Sequence, residues 1–317
     1  MIRLEAIYVL MGLLTGGIAM VNARDDSNPR RWRNTLFWGV YALLFFTGSY
    51  LSDLTNGVLV LVMVGTAATG LGQGTRETVT AADRVASALR YRNRLFVPVL
   101  VVPLATFLGS LLLKDIVIGG QPLVDPKQVT QIALGVATVL GLLTGLIMLR
   151  PPVTAPIVEA RRLMDSVGWA AVLPQSLAAL GAVFAAAGVG KVVSTLATTY
   201  LPLGSPLAAV AAYAIGMALF TMIMGNAFAA FPVMTAGIGL PLVVQQYGGD
   251  VVVVTAIGML SGFCGTLMTP MAANFNIVPA ALLELRDRYG VIKAQVPTAL
   301  LLLAANIVLL SLFAFPR

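Results

Sequence analysis

The groups able to do chemistry in this chain are few, and most are neutral. The segment 265-GTLMTPMAANFNIVPAALLEL-285 sets Thr266, Thr269, Asn274 and Asn276 among apolar residues, with Pro270 and Pro279 where a helix would have to give way. A second segment, 222-MIMGNAFAAFPVMTAGIGLP-241, carries Gly225, Asn226 and Pro232 in a similar setting. Between Asp165 and Asp250 the only charged residue is Lys191. Asparagine carboxamides and threonine hydroxyls donate and accept hydrogen bonds without charge, and an ammonium can hold a carboxylate. Such a set suits recognition of a small polar molecule more than bond making. There is no histidine and one cysteine, Cys264, which sets aside imidazole acid/base work, zinc sites, disulfides and iron-sulfur clusters. Cys264, Ser261 and the threonines lack a base, so no enzyme, metal or cofactor site is expected.

The elements that must position these groups are membrane helices. Of 317 residues 58% are hydrophobic and 10% charged, far from the roughly 25% charged of soluble domains. Charge-free runs recur at about the 20-residue length needed to cross the hydrocarbon, and runs such as 132-IALGVATVLGLLTGLIML-149 are apolar all round, unlike barrel strands. An all-α, polytopic integral membrane protein of about ten transmembrane helices follows. Spans are expected near 4–21, 35–51, 55–71, 95–113, 128–149, 169–187, 206–224, 227–246, 251–267 and 295–315. Arginine-rich loops (Arg24, Arg30, Arg31 and Arg33; Arg76, Arg84, Arg90, Arg92 and Arg94; Arg150, Arg161 and Arg162) alternate with arginine-poor ones. The positive-inside rule puts them on the cytoplasmic side and the N-terminus outside. The first twenty residues have no A-x-A cleavage site and read as the first span. The net charge of +7 is thus a topology signal, and no nucleic-acid partner is called for.

Three regions emerge: a five-helix region at 1–149, a linker or interfacial helix at 150–168, and a C-terminal region at 169–317 holding the candidate site. In the linker, Ile157, Leu163, Met164 and Val167 form a possible apolar stripe opposite Glu159, Arg161, Arg162 and Asp165, a pattern suited to lying along the inner surface. In the C-terminal region a continuous helix over 251–283 would run about 50 Å, too long for one upright crossing and too short for two. It should break at Thr269-Pro270 and Val278-Pro279, because proline removes a donor and disfavours helix at the residue before it. Gly225-Asn226 and Pro232 are the second candidate interruption, as a broken helix or re-entrant hairpin. Irregular backbone at membrane depth is tolerated only where it is buried in protein or lines a watery cavity, and transporters bind substrates and ions there.

Each site has a plainer reading. Small residues, Asn and Thr also pack ordinary membrane helices, Gly225-Asn226 could be a turn between adjacent spans, and Lys191 could snorkel to the interface. Gly188-Val189-Gly190-Lys191 is not a phosphate loop, since Ala185 and Val192 stand where that motif needs glycine and Ser/Thr. Glu5, Asp53 and Asp250 lie at or near span ends, so a proton relay wholly within this chain is not expected. Coupling to Na+ through carbonyls and Asn/Thr oxygens stays open, as does coupling through another subunit or none.

The stretches 224-MGNAFAAFPVMTAGIGLPLVV-244 and 262-GFCGTLMTPMAANFNIVPAALLELRDRYGVIKAQVPTALLLLAANI-307, with 1-MIRLEAIYVLMGLLTGGIAMVNARD-25, resemble a bacterial membrane family first catalogued as domain of unknown function 979. That family is described as one subunit of a 5-oxoproline (pyroglutamate) transporter, and is distantly like ion-transporter-superfamily carriers. The resemblance implies a second, smaller membrane subunit. The expectation is a secondary-transporter subunit moving a small carboxylate, 5-oxoproline first, by alternating access with that partner. The alternative is a non-transporting scaffold or assembly subunit. Substrate contacts are expected from Gly225, Asn226, Thr266, Thr269, Asn274, Asn276 and Lys191, with helix breaks at Pro232, Pro270 and Pro279.

Overall fold

The computed structural model describes residues 1–74, 80–200, 204–283 and 285–315; Arg76 of the arginine-rich loops, Pro202 and Glu284 lie outside them. The elements among the described residues are helices, apart from one short hairpin of β1 (Val117–Ile118) and β2 (Gln121–Pro122). Among the described residues seven helices are long and apolar enough to cross a membrane: Leu4–Ala23, Val85–Asp115, Val129–Leu149, Ala155–Ala186, Pro206–Met224, Ala227–Gln246 and Gly290–Phe313. Their outer faces are apolar, as lipid requires and water would penalise. Leu100, Leu104, Phe107 and Leu112 on one helix are all about 60% exposed. Contacts divide the chain into two units, Met1–Asp165 and Ser166–Arg317.

In the first unit α1 (Leu4–Ala23) packs along α2 (Arg31–Thr47), and α3 (Asp53–Ala68) follows α2. One face of α1 buries Thr15, Ile18, Ala19 and Asn22 against Asn34, Phe37, Trp38 and Tyr41 of α2, residues spaced three and four apart in each helix. The short α4 (Ala81–Tyr91) leads into α5 (Phe96–Leu112), which pairs with α6 (Val129–Leu149). Then α7 (Ala155–Val167) corrects the expected surface helix. Its charged Arg161 and Asp165 are buried, at 4% and 5% exposure, while Leu163 of the apolar stripe is exposed. The polar face turns inward because polar partners wait there, as set out below. With four charges in thirteen residues, α7 is the polar end of the Ala155–Ala186 stretch, and the apolar part follows it.

The second unit runs α8 (Leu173–Ala186), α9 (Val189–Tyr200), α10 (Pro206–Met224), α11 (Ala227–Met234), a π-helical run (Thr235–Gln246), α12 (Val251–Leu267), α13 (Ala273–Leu282) and α14 (Gly290–Phe313). Capping sets several boundaries. The Ser205 hydroxyl accepts from the Ala208 amide ahead of Pro206 in α10, and the Asp250 carboxylate accepts from the Val253 amide to start α12. Val210, Tyr213 and Met217 of α10 anchor a core with Met234, Ile238, Leu242, Val254 and Leu310. The Tyr213 hydroxyl meets Thr235 Oγ1 at 2.9 Å, so its buried polar end is satisfied.

Candidate functional site

Both asparagine-bearing segments of the second unit are interrupted, and the interruptions touch. α10 ends at Gly225, whose φ of +75° is a left-handed conformation glycine adopts without strain. Asn226 then caps α11, its Oδ1 accepting from the Phe228 amide at 2.8 Å. α12 ends at Leu267 and α13 begins at Ala273, leaving Thr269 and Pro270 between them. A side chain at Gly225 would stand 2.7 Å from the Met271 carbonyl oxygen, so only glycine admits this approach.

The orphaned carbonyls at this junction are met by side chains. Pro270 has no amide to give the Thr266 carbonyl four residues back, and Asn276 Nδ2 donates to it instead at 2.9 Å. The same nitrogen donates to the Thr269 carbonyl at 2.6 Å. The Thr269 hydroxyl donates to the Met222 carbonyl at 2.9 Å, closing the end of α10, and accepts from the Met271 amide at 3.2 Å. Each interruption thus depends on the other. Thr266 and Thr269 are 2% and 4% exposed and Asn276 is wholly buried. The Thr266 hydroxyl is spent on the Phe263 carbonyl of its own helix. Two buried groups accept and donate nothing: Asn276 Oδ1 and Thr221 Oγ1.

Lys191 belongs to a different place. The α8–α9 turn at Gly188, the first turns of α9 with Gly190, Lys191 and Ser194, and Pro232, Val233, Ala236 and Pro241 opposite line a recess of about 320 Å³. Small residues bring these walls together: a side chain at Gly190 would lie 3.0 Å from the Val233 carbonyl oxygen. The far wall is the unusual part. Its π-helical run contains Pro241, which has no amide to give the Ala236 carbonyl five residues back, and Lys191, an exposed residue, lines the recess with both.

The expected residues therefore fall into two groups. Gly225, Asn226, Thr266, Thr269, Asn276 and Pro270 meet at the junction, while Lys191 and Pro232 face each other across the recess. Asn274 joins neither group and is exposed on α13. Two of the three expected breaks are corrected: Pro232 lies inside α11 and Pro279 inside α13. A single proline costs one hydrogen bond and a kink, which flanking contacts can carry. After Pro232 the chain shifts into π geometry three residues on. Sequence reasoning missed Thr221, Ser194 and Ala236, and in the first unit the polar set Asn22, Asp25, Trp38, Arg161 and Asp165. The i,i+4 spacing of Arg161 with Asp165, and of Asn34 with Trp38, was the available signal.

No curated protein matches the chain, and no solved structure matches it. A family model does, over residues 5–315, and the chain belongs to that family, described as "Protein of unknown function (DUF979)".

Proposed function

We propose that this chain is a subunit of a secondary transporter for a small carboxylate, with 5-oxoproline as substrate, working beside a second, smaller membrane subunit in the bacterial inner membrane. The observation that carries the reading is the recess where Lys191 faces a proline-interrupted π-helical wall. A carboxylate is the natural partner of the ammonium and of the positive end of α9, and the Ala236 carbonyl can accept a lactam N–H. Discontinuous helices with freed backbone groups are what midplane sites in transporters are built from. Counting α2, α3 and α12 with the seven longer spans gives ten crossings, the N-terminus outside, and leaves α9 and α13 as short re-entrant pieces. The Thr269–Met222 hydrogen bond between the two interruptions supplies a joint that can rearrange as a unit during alternating access.

The test is uptake of radiolabelled 5-oxoproline in a host lacking its own route, with this chain alone and then with the membrane protein encoded beside it. Lys191→Gln, at unchanged membrane expression, is expected to raise the half-saturation concentration about tenfold or more, the scale of a lost charge-assisted hydrogen bond. Lys191→Arg should retain much of the affinity. Unchanged uptake in Lys191→Gln would refute the recess as the carboxylate site. Absence of any uptake or binding by either combination would leave the scaffold role standing instead.

A further inference from the structure

The first unit holds a buried ionic cluster that the transport reading does not use. Where α1 ends and α2 begins, Asp25, Arg161 and Asp165 are each about 5% exposed or less. Two carboxylates share one guanidinium, and they share it unequally. Arg161 Nη1 donates to Asp25 Oδ2 at 2.6 Å, and the other Asp25 oxygen accepts from the Ser27 amide at 3.1 Å and the Ser27 hydroxyl at 2.6 Å. Burial alone would raise the Asp25 carboxyl, but the Ser27 hydrogen bonds and the guanidinium outweigh it and hold the group below its ordinary 3.8. Asp25 therefore stays ionised and takes the counter-charge.

Asp165 is left with the remainder. Its Oδ1 accepts from Trp38 Nε1 at 2.8 Å and from Asn22 Nδ2 at 3.2 Å, both neutral donors. Its Oδ2 accepts no hydrogen bond and lies 3.8 Å from Arg161 Nη1. The carboxamide oxygen of Asn22, a residue wholly buried, is also without a donor. The Asp165 carboxylate therefore keeps a buried oxygen with no donor, on a charge that no cation fully neutralises. Burying such a charge is costly unless it is paired or protonated.

We propose that Asp165 is a proton-binding site, its Oδ2 taking up the proton. One proton enters from water, converts the carboxylate to the acid, and leaves again by the same bond; nothing else is made or broken. A metal ion fits worse, because hard cations take six or more oxygens and this one would sit beside the guanidinium. Of the other charges nearby among the described residues, Arg24 is exposed, Arg162 Nε pairs with Glu159 Oε2 at 2.7 Å, Arg31 pairs with Asp26, and Arg33 Nη1 donates to the Thr69 carbonyl at 2.6 Å. Arg30 lies against Gly70, at the start of the segment that covers the cluster. Asn34 holds that segment in place, exchanging hydrogen bonds with the Gly72 amide and carbonyl, and Gly74 has no room for a side chain against Asp25 and Arg161. The site stands whether or not the second unit carries a carboxylate.

Trp38 reports on it directly. In the full-length protein with Trp32→Phe and Trp169→Phe, Trp38 is the only tryptophan, and its emission is followed from about pH 4 to about pH 9. One step is expected, with its midpoint above the ordinary carboxylate range, and Asp165→Asn should abolish it. A flat profile, or a step that survives Asp165→Asn, overturns the proposal. If that variant does not fold, pH-difference infrared spectra of the unsubstituted protein decide. A protonated-carboxyl band at neutral pH that shifts in heavy water supports the site, and its absence there overturns it.

Discussion

The two units solve the problem of buried polarity in different ways. The first buries Asp25, Arg161 and Asp165, while the buried polar side chains of the second, among the described residues, are neutral: Thr221, Thr235, Ser261, Thr266, Thr269, Asn276 and Asn306. Location explains the contrast. The charged cluster sits just beyond the last turn of α1 and against the first turns of α2, near helix ends where charges are cheapest. The junction of the second unit lies between apolar helices, where a charge would cost more and where amides and hydroxyls suffice to meet freed carbonyls. Charge is therefore used where it can be paired near helix ends, and neutral groups where the backbone opens.

The contrast can be broken by substitution. Arg161→Met should be the most damaging change, about 3–5 kcal/mol, because it strands two buried carboxylates. Asn276→Ala removes the donor for two carbonyls at the junction and should cost about 1–3 kcal/mol. Thermal unfolding of both variants in the same detergent ranks them, and a larger loss for Asn276→Ala would reverse the comparison. Gly225→Ala should follow at about 1–2 kcal/mol for the left-handed conformation, plus whatever shift of Met271 is needed. Thr269→Val, measured beside it, tests the same joint from the other side: if the interruptions support each other, the double variant should lose less than the sum of the singles.

How much of this was legible in the sequence varies with distance along the chain. The break at Pro270 was readable because its cause is local: a missing amide and a residue disfavoured before it. The partner that makes the break tolerable, Asn276, was also within reach, six residues on. Its role is nevertheless structural first, since its donors are taken by Thr266 and Thr269. Pro232 and Pro279 misled because a proline alone does not say whether neighbours will carry the kink. The charged cluster was harder still. Arg161 and Asp25 lie 136 residues apart, and no periodicity in α7 announces that its polar face will find partners on α1 and α2. An amphipathic pattern shows that a helix has two faces, not which of them is turned inward.

Acid offers a milder probe of the first unit. Because the folded-state carboxyl of Asp25 lies below its ordinary value, its contribution to stability is fully present above about pH 4. It is lost as the pH falls through the folded value. Unfolding measured at about pH 5 and about pH 3 should show a loss that Asp25→Asn reduces; an equal loss in that variant would assign the acid sensitivity to other groups.

The smallest effect should come from Asn274→Ala. Asn274 stands two residues before Asn276 on α13, so the two point to different faces, and Asn274 is exposed. Its removal should leave unfolding unchanged to within about 0.5 kcal/mol, the usual range for surface positions. Uptake then gives the informative reading. With Asn276→Ala, a transport defect and a folding defect arrive together and cannot be separated, whereas Asn274→Ala has no folding defect to confuse it. Lost affinity in Asn274→Ala at normal stability would place a substrate or partner contact on the outer face of α13, away from the Lys191 recess. Normal uptake would leave the recess lined by Lys191 as the candidate carboxylate site of the second unit.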